Sequence, residues 1–466
     1  MEKLLQNYDI TQIEMLSYFS CEIFCLIGVV INICLFMFVS KKYNIKRLSD
    51  LSTFSVLAVN SLISLGIFLK NKISFGDMSF SLFEGNIVFV NENIFLKFLI
   101  YTFFALFVLC SYKITSKAYF KGALANCYLL VLAFSSSILM QVENGILAFF
   151  VLDLCALLIY KFASSLRLRK YETYCPDFVL MSATSTILFY SFCLLSFFVK
   201  EELQLAVIQV CIVISLLLKS GLFPIYNYSL NKNTKSNLAY SMLLFGFLPY
   251  MGVITFVKFM QGINFSNEIF FITISVFVLF LIITSSINAF KAKNVVKFVA
   301  NCSLAFCGFY LISFLTLQDK ILCTKTVFMA MFLIFALFSL LAILKINLKP
   351  EKMTILLLQN LFIKNRFYCF LFAFSLLVMM NIIPSAAFFN NIILLKEIYL
   401  FDKAGSFAII CLLASFVLIV LKALKIIKIS YSRNPLAQVS KLTKRTTPNY
   451  VVPVAIILIL IILAIL

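Results

Sequence analysis

The chain has 466 residues, of which 63% are hydrophobic and only 12% are charged. A soluble globular protein is nearer half apolar and a quarter charged, so this composition excludes that class and predicts a polytopic membrane protein. The net charge is +20. The chain has no histidine and no tryptophan, and the lack of histidine argues against haem or zinc chemistry within it.

Fourteen apolar segments are long enough, at about 20 residues, to cross the ~30 Å hydrocarbon core of a bilayer. They cover residues 17–40, 51–69, 94–112, 122–141, 145–163, 178–199, 203–230, 237–257, 269–290, 295–317, 326–345, 367–395, 404–427 and 449–466. The first segment follows no recognisable secretory signal and is expected to be retained as a span. After the second, residues 71–93 alternate in polarity around Gly85, which predicts a β-hairpin. The fourteen cysteines stand mostly alone in apolar runs and are interpreted as small core residues.

The basic residues indicate the orientation of the spans, because Lys and Arg are retained on the cytoplasmic side. Most of the 39 basic residues fall in the loops after odd-numbered spans. This pattern predicts that both termini face outward. The positive charge is then a sorting signal rather than a nucleic-acid-binding surface.

Two prolines interrupt spans at corresponding places. Pro224 lies in the seventh span and Pro384 lies in the twelfth, 160 residues and five spans later, so the two spans run in opposite directions. Paired interruptions of this kind are typical of inverted-repeat transporters with an ion path at the breaks. Prolines also kink membrane helices without functional meaning. The spacing alone leaves both interpretations open.

Few ionisable residues fall at depth in the predicted spans. They are Glu22, Lys97, Asp153, Lys219, Lys396 and Glu397. Such a residue costs about 2.5 to 3.5 kcal/mol at the bilayer centre, so each is a candidate functional site. Glu22 is near the outer end of the first span and is interpreted as an interfacial anchor. Lys396 and Glu397 flank the end of the twelfth span and predict a surface ion pair.

Asp153 and Lys219 are the strongest candidates among these. Asp153 lies eight residues, or ~12 Å, into the fifth span, near mid-membrane. Lys219 precedes Pro224, where a broken helix would admit water and keep an ammonium hydrated. We predict that the carboxylate and the amine form a switchable pair, in which separation releases the lysine's proton. The alternative is that Lys219 snorkels to the cytoplasmic face and Asp153 hydrogen-bonds a neighbouring helix.

Four stretches of the sequence, taken in order, resemble a known family. They are ENGILAFFVLDLCALLIYKF, RKYETYCPDFVLMSATSTILFYS, LLKSGLFPIYNYS and KNVVKFVANCSLAFCGFYL. The residues in register are Asp153 (a glutamate in the family), Glu172, Thr184, Ser185, Thr186, Lys219, Gly221, Pro224, Asn294, Ala300, Ser303 and Gly308. The order and spacing resemble the antiporter-like membrane subunits of respiratory complex I, closest to subunit N (mitochondrial subunit 2), and beyond them the multisubunit cation/proton antiporters.

The resemblance implies an all-α polytopic fold of about fourteen transmembrane helices, with two inverted five-helix repeats and broken helices 7 and 12. The implied divisions are residues 1–121 (three helices with a periplasmic hairpin), 122–260 and 261–430 (the two repeats), and 431–466 (a basic cytoplasmic loop and a last helix). The implied role is proton translocation in a bacterial cytoplasmic membrane, with both termini periplasmic, Lys219 as proton carrier and Asp153 as its charge partner.

The same resemblance implies partners and cofactors. The chain would assemble with other complex I membrane subunits in the lipid bilayer as a hetero-oligomer, without nucleic acid. It would bind no cofactor itself, while NADH, FMN, iron-sulfur clusters and quinone would belong to partner subunits. The runner-up assemblies are a multisubunit Na⁺(K⁺)/H⁺ antiporter and a divergent complex in which this chain is a non-conducting scaffold.

The sequence departs from the family pattern at several ionisable positions. The family's lysine in span eight falls at or near Pro249, within a span that ends at residue 257 and holds no other lysine. Its span-twelve lysine falls at Asn391 and its span-ten histidine at Phe306. The His and Trp of the seventh-span signature become Tyr226 and Tyr228. We expect any relay to use Tyr226, Tyr228, Asn391 and Lys396 instead.

Overall fold

A computed structural model of the chain describes residues 18–38, 45–74, 79–82, 85–114, 122–165, 176–199, 202–222, 238–261, 268–316, 320–348, 354–359, 361–382, 386–400 and 402–432. The chain divides into two compact units. The first unit comprises residues 1–172 with 258–263, and the second comprises 173–257 with 264–466. The four-part division expected from the sequence stays a prediction.

The first unit is a set of packed helices with one β-hairpin. Its elements are α1 (Ser20–Phe38), α2 (Ile45–Ser74), β1 (Ser79–Leu82), β2 (Ile87–Val90), α3 (Asn91–Ile114), α4 (Gly122–Gln141) and α5 (Gly145–Ser165). The strands pair antiparallel with Ser79 opposite Val90, and Gly85 between them has φ +86°, which favours glycine. The hairpin predicted from the alternating polarity is therefore confirmed.

The second unit holds the remaining helices. They are α6 (Pro176–Ser196), α7 (Glu202–Lys219), α8 (Leu238–Gly246), α9 (Leu248–Gln261), α10 (Glu268–Lys291), α11 (Val295–Thr316), α12 (Lys320–Leu348), α13 (Leu361–Lys364), α14 (Arg366–Met379), α15 (Ala386–Leu400) and α16 (Asp402–Tyr431), with a 3₁₀ turn at Ile355–Leu358. The last turn of α9, from Lys258 onward, belongs to the first unit.

The described residues contain ten helices that are long and apolar enough to cross a membrane. Shorter apolar helices cover Leu180–Ser196, Gln204–Lys219 and Arg366–Met379. Helices suit this environment because they satisfy their backbone hydrogen bonds internally. α12 is buried over most of its length, whereas α1 exposes large apolar side chains such as Val30 and Met37. The chain is an all-α, multi-pass membrane protein, as predicted; the fourteenth predicted segment lies outside the described residues.

Two helices end in the same backbone motif, 160 residues apart. At the end of α7, the N–H of Leu222 donates to Leu217 O and the N–H of Gly221 donates to Leu218 O. At the end of α14, the N–H of Ile382 donates to Leu377 O and the N–H of Asn381 donates to Val378 O. Each is a Schellman motif, in which a left-handed residue closes the helix. Gly221 has φ +74° and Asn381 has φ +51°.

These motifs correct one expectation and confirm another. The helices end at Lys219 and Met379, ahead of Pro224 and Pro384, because the left-handed residues Gly221 and Asn381 terminate them. The prolines themselves lie outside the described residues. The twelfth predicted span is interrupted as expected, since α14 ends at Met379 and α15 begins at Ala386.

The eighth span is interrupted at Phe247, between α8 and α9 and two residues before Pro249. Proline has no N–H, so it cannot donate to the carbonyl of Phe245 four residues earlier. The hydroxyl of Ser303 on α11 donates to that oxygen at 2.6 Å, and it lies 3.2 Å from the hydroxyl of Tyr250. The span continues to Gln261, so the expectation that it ends at residue 257 without a lysine is wrong, and Lys258 lies inside it.

Replacing Ser303 by alanine is expected to destabilise the protein by about 1 to 3 kcal/mol, because it removes the buried hydrogen bond that this hydroxyl donates to the Phe245 carbonyl. The control is Ser339→Ala on α12, a buried serine whose hydroxyl donates to Ala336 O of its own helix. The measurement is the thermal unfolding midpoint of the detergent-purified protein. Equal midpoints for the two variants would contradict the role given to Ser303.

Candidate functional site

Lys219 is the last residue of α7, and its ammonium is buried against α6. The side chain is only 1% exposed. Its Nζ donates to Ser182 Oγ at 2.7 Å, to Thr186 Oγ1 at 2.9 Å and to Ser182 O at 3.1 Å. A lysine ammonium has three N–H donors. The charge is therefore held inside the second unit by hydroxyl and carbonyl oxygens, and the alternative in which Lys219 snorkels to a surface is wrong.

The acceptors on α6 lie one turn apart on one face. Ser182 and Thr186 are four residues apart, which places both side chains toward α7. Thr186 belongs to the Ser/Thr-rich turn that matched the family, but its neighbours Thr184 and Ser185 donate to carbonyls of their own helix. Ser182 was not selected from the sequence. The sequence signal for Ser182 is its four-residue spacing from Thr186, which places the two hydroxyls on one face of the helix.

Replacing Ser182 by alanine and Thr186 by valine together is expected to destabilise the site by about 1.5 to 3 kcal/mol per lost hydrogen bond to the charged Lys219. Thr184→Val is the matched control, because Thr184 is exposed and its hydroxyl donates only to Met181 O. The readout is again the thermal unfolding midpoint. A double variant as stable as the control would show that these hydroxyls do not hold the ammonium.

The end of α7 packs closely against α9. A Cβ added at Gly252 would overlap the Cβ of Ser220, the residue that follows Lys219, and would lie 2.7 Å from its Oγ. Small residues allow helices in membranes to approach each other in this way. The contact between Gly252 and Ser220 thus fixes the position of the α7 end that carries Lys219.

Asp153, the predicted partner of Lys219, is half buried on α5 in the first unit. Lys219 belongs to the second unit, and their pairing stays a prediction. Tyr226, Tyr228 and Glu172 lie outside the described residues. Lys396 is exposed on α15, and its predicted relay role stays untested.

A cavity of about 210 Å³ lies in the second unit, beside the interruption after α14. Asn381, Asn391 and Phe306 line it together with mainly apolar side chains of α10, α11, α15 and α16. The amide of Asn391 donates to Asn381 Oδ1 at 3.1 Å, while Asn391 Oδ1 is buried with no hydrogen-bond partner among the described residues. Where the family pattern has a lysine and a histidine, the cavity wall is therefore formed by a neutral amide and a phenyl ring.

Lys258 binds the carbonyl oxygens at the C-terminal end of α4, within the first unit. Its buried ammonium donates to Met140 O at 2.8 Å and to Val142 O. These carbonyls lie where α4 ends, and a cation is favoured at a helix C-terminus. There is no room for a side chain at Gly145, because an added Cβ would lie 2.7 Å from the backbone of Phe259. Lys258 and Gly145 thus join the last turn of α9 to the start of α5, the helix that carries Asp153.

Glu22 and Lys97 form a buried ion pair in the first unit. Lys97 Nζ lies 2.6 Å from Glu22 Oε1, and the side chains of Lys97 and Glu22 are 3% and 6% exposed. The interpretation of Glu22 as an interfacial anchor is therefore wrong. A lysine 75 residues away in sequence compensates the carboxylate, and no local pattern shows this.

Comparison with known proteins finds similarity in structure but not in sequence. No family model and no curated protein matches the sequence. Among solved structures, a chain of respiratory complex I from Thermus thermophilus with bound aureothin has a TM-score of 0.71 at 12% identity, over 96% of both chains. The chain has the fold of that respiratory membrane complex chain.

Two further structures show the same fold. Complex I from Thermus thermophilus with bound NADH contains a chain with a TM-score of 0.66 at 14% identity, covering 96% of this chain and 95% of that one. The membrane-bound sulfane sulfur reductase, an archaeal respiratory membrane complex, contains one with a TM-score of 0.75 at 10% identity, covering 97% and 94%. The all-α polytopic fold expected from the resemblance is thus confirmed, while the two inverted repeats stay a prediction.

Proposed function

We propose that this chain is a proton-translocating membrane-arm subunit of a complex I-type NADH:quinone oxidoreductase. The observation that carries the proposal is the ammonium of Lys219, buried at the end of a terminated helix and held by Ser182 and Thr186. An ionisable group at membrane depth that is kept by dedicated polar partners is a functional site by default. The fold shared with respiratory membrane complexes supports the assignment.

The site suits a residue that alternates between two protonation states. As an ammonium, Lys219 donates to the two hydroxyl oxygens. After losing its proton, the amine nitrogen can accept a hydrogen bond from a hydroxyl that rotates, since Ser and Thr both donate and accept. Neither state leaves the group unpaired in a low-dielectric site. Deprotonation of Lys219 therefore does not carry the large free-energy cost of a buried amine without a hydrogen-bond partner.

The driving step in this proposal is electrostatic. A nearby carboxylate favours the charged lysine, and moving the carboxylate away favours the neutral amine. We assign the carboxylate to Asp153 and the movement to neighbouring subunits during quinone reduction. NADH, FMN, iron-sulfur clusters and quinone would be bound by those partners. Because an amide and a phenyl ring line the second-unit cavity where the family pattern has ionisable groups, we assign the proton-carrier role to Lys219.

The assembly is tested by purifying the affinity-tagged chain from native membranes in mild detergent. The expected result is co-purification with flavin and iron-sulfur subunits, and proton uptake into liposomes when the reconstituted complex oxidises NADH with quinone. Co-purification with cation/proton antiporter subunits alone would overturn the assignment. A complex that reduces sulfur and does not use quinone would overturn the electron acceptor named here.

A further inference from the structure

The ion pair of Glu22 and Lys97 lies outside the Lys219 site and is not needed for the proposal above. Lys97 lies six residues, or ~9 Å, into α3, next to the hairpin. Its Nζ also donates to Tyr18 O at 3.3 Å and lies 5.7 Å from the centre of the Phe89 ring on β2. The strand residue Phe89, itself buried, covers the pair at this end.

A row of hydrogen-bonding groups leads from Glu22 toward mid-membrane. The hydroxyl of Ser137 on α4 donates to Glu22 Oε1 at 3.3 Å, and the hydroxyl of Tyr101 donates to Ser137 Oγ at 3.0 Å. Tyr101 lies ten residues, or ~15 Å, into α3. The single hydroxyl proton of Ser137 has two acceptors, Glu22 Oε1 and, at 2.8 Å, Phe134 O of its own helix. When Ser137 turns this proton to Glu22, the row has the polarity of a path that delivers protons to the carboxylate.

The row continues into α1 and α2 and leaves an unsatisfied acceptor at each end. Tyr101 neighbours Cys25, whose sulfur accepts from Asn60 Nδ2 at 3.1 Å. Glu22 Oε2 and Asn60 Oδ1 are both buried and have no hydrogen-bond partner among the described residues. A buried carboxylate oxygen requires a donor, which a bound water or an added proton would supply.

We propose that Glu22 is a second proton-binding site, reached through Tyr101 and Ser137 and held by Lys97. In the step, Ser137 gives its proton to Glu22 Oε1 and takes the proton of the Tyr101 hydroxyl, while a hydronium ion at the other end of the row reprotonates Tyr101 and leaves as water. Rotation of the carboxyl group then places the new O–H bond at the oxygen that has no partner among the described residues. No electron moves, and the site gains one positive charge. Its use during turnover rests on the proposed function, whereas proton binding by Glu22 does not.

A purely structural ion pair would be built differently. Both carboxylate oxygens would then have hydrogen-bond partners. Here Glu22 Oε1 contacts the Lys97 ammonium and the Ser137 hydroxyl, while Glu22 Oε2 has no partner among the described residues. The titratable groups facing Glu22 are Lys97 and Tyr101 on α3 and Cys21 and Cys25 on its own helix. Among these, Lys97 is the group in direct contact with the carboxylate, at 2.6 Å.

The first test is infrared spectroscopy of the purified full-length chain in its complex, titrated with acid without redox turnover. The expected result is a carboxylic acid C=O band that grows as the pH falls, shifts in D₂O and is lost in Glu22→Gln. The control is Glu92→Gln, which removes an exposed carboxylate from α3 and should keep the band. Persistence of the whole band in Glu22→Gln would overturn the inference and leave the Lys219 proposal untouched.

The second test separates a proton site from a structural pair and also covers a Glu22→Gln variant that fails to assemble. Replacing a buried ion pair by two apolar side chains of similar size is often neutral for stability. Glu22→Leu with Lys97→Met is therefore expected to assemble, to lack the band and to move fewer protons per NADH oxidised. A double variant that pumps with wild-type stoichiometry would show that the pair only holds α1 to α3.

Discussion

Lys219→Met is expected to reduce NADH-driven proton translocation by the intact complex by roughly 10²-fold or more, the usual contribution of a positioned proton-transfer group. Methionine is unbranched and flexible, so it fills the buried slot beside α6 without a titratable atom. The hydroxyl of Thr186 remains satisfied, because it also donates to Ser182 O at 2.8 Å. The loss therefore reports the missing proton site rather than a collapsed helix pair.

The measurement is acidification of liposomes containing the complex, followed with a pH-sensitive dye while NADH oxidation is recorded in the same sample. Lys425→Met is the matched control, since it removes an exposed lysine from α16 that has no role in the proposed path and should leave pumping intact. A Lys219→Met complex that moves as many protons per NADH as the wild type would make this chain a scaffold. The proton path would then belong to its partners.

The parts of the fold that sequence predicts well are those set by local pattern. Long apolar runs predict the spans because a helix is the structure that satisfies its own backbone in lipid. The hairpin follows from alternating polarity around Gly85, and its positive φ explains the glycine. Paired interruptions are also visible, since Gly221 and Asn381 stand at equivalent places in the two halves.

The position of a helix end was harder to predict than its existence. Prolines mark the two interruptions in the sequence, yet the helices stop earlier, at residues that adopt left-handed backbone. Gly221 is a recognisable C-terminal signal, but Asn381 is weaker because asparagine adopts this conformation less readily than glycine. The result matters for function, because it makes Lys219 the last residue of its helix.

Contacts between distant segments could not be predicted from one sequence. Ser303 and the carbonyl of Phe245 are 58 residues apart, and neither shows that Pro249 has freed an acceptor. Lys97 was a candidate charge and Glu22 an interpreted anchor, yet only the folded structure shows that they are ion-pair partners. For the same reason Ser182 was missed, since it is one of many serines in membrane helices until Lys219 is placed beside it.

Gly252→Ala is expected to destabilise the protein by about 1 to 3 kcal/mol, the usual cost of overpacking a close contact. The new methyl group would overlap the Cβ of Ser220, so α9 or the end of α7 must shift. Alanine is favoured over glycine within a helix by about 0.5 to 1 kcal/mol, which offsets only part of this cost. Because Ser220 follows Lys219, proton translocation should fall together with the thermal unfolding midpoint.

Two comparisons identify the overlap as the cause. Gly246→Ala in α8 places its methyl group 3.6 Å from Phe338, an ordinary contact, and should be neutral or slightly stabilising. Ser220→Gly removes the other Cβ, so adding it to Gly252→Ala should restore part of the lost stability. Additive losses in the double variant would show that the two residues do not touch. Recovery of the midpoint with recovery of pumping would instead tie the position of Lys219 to this single helix contact.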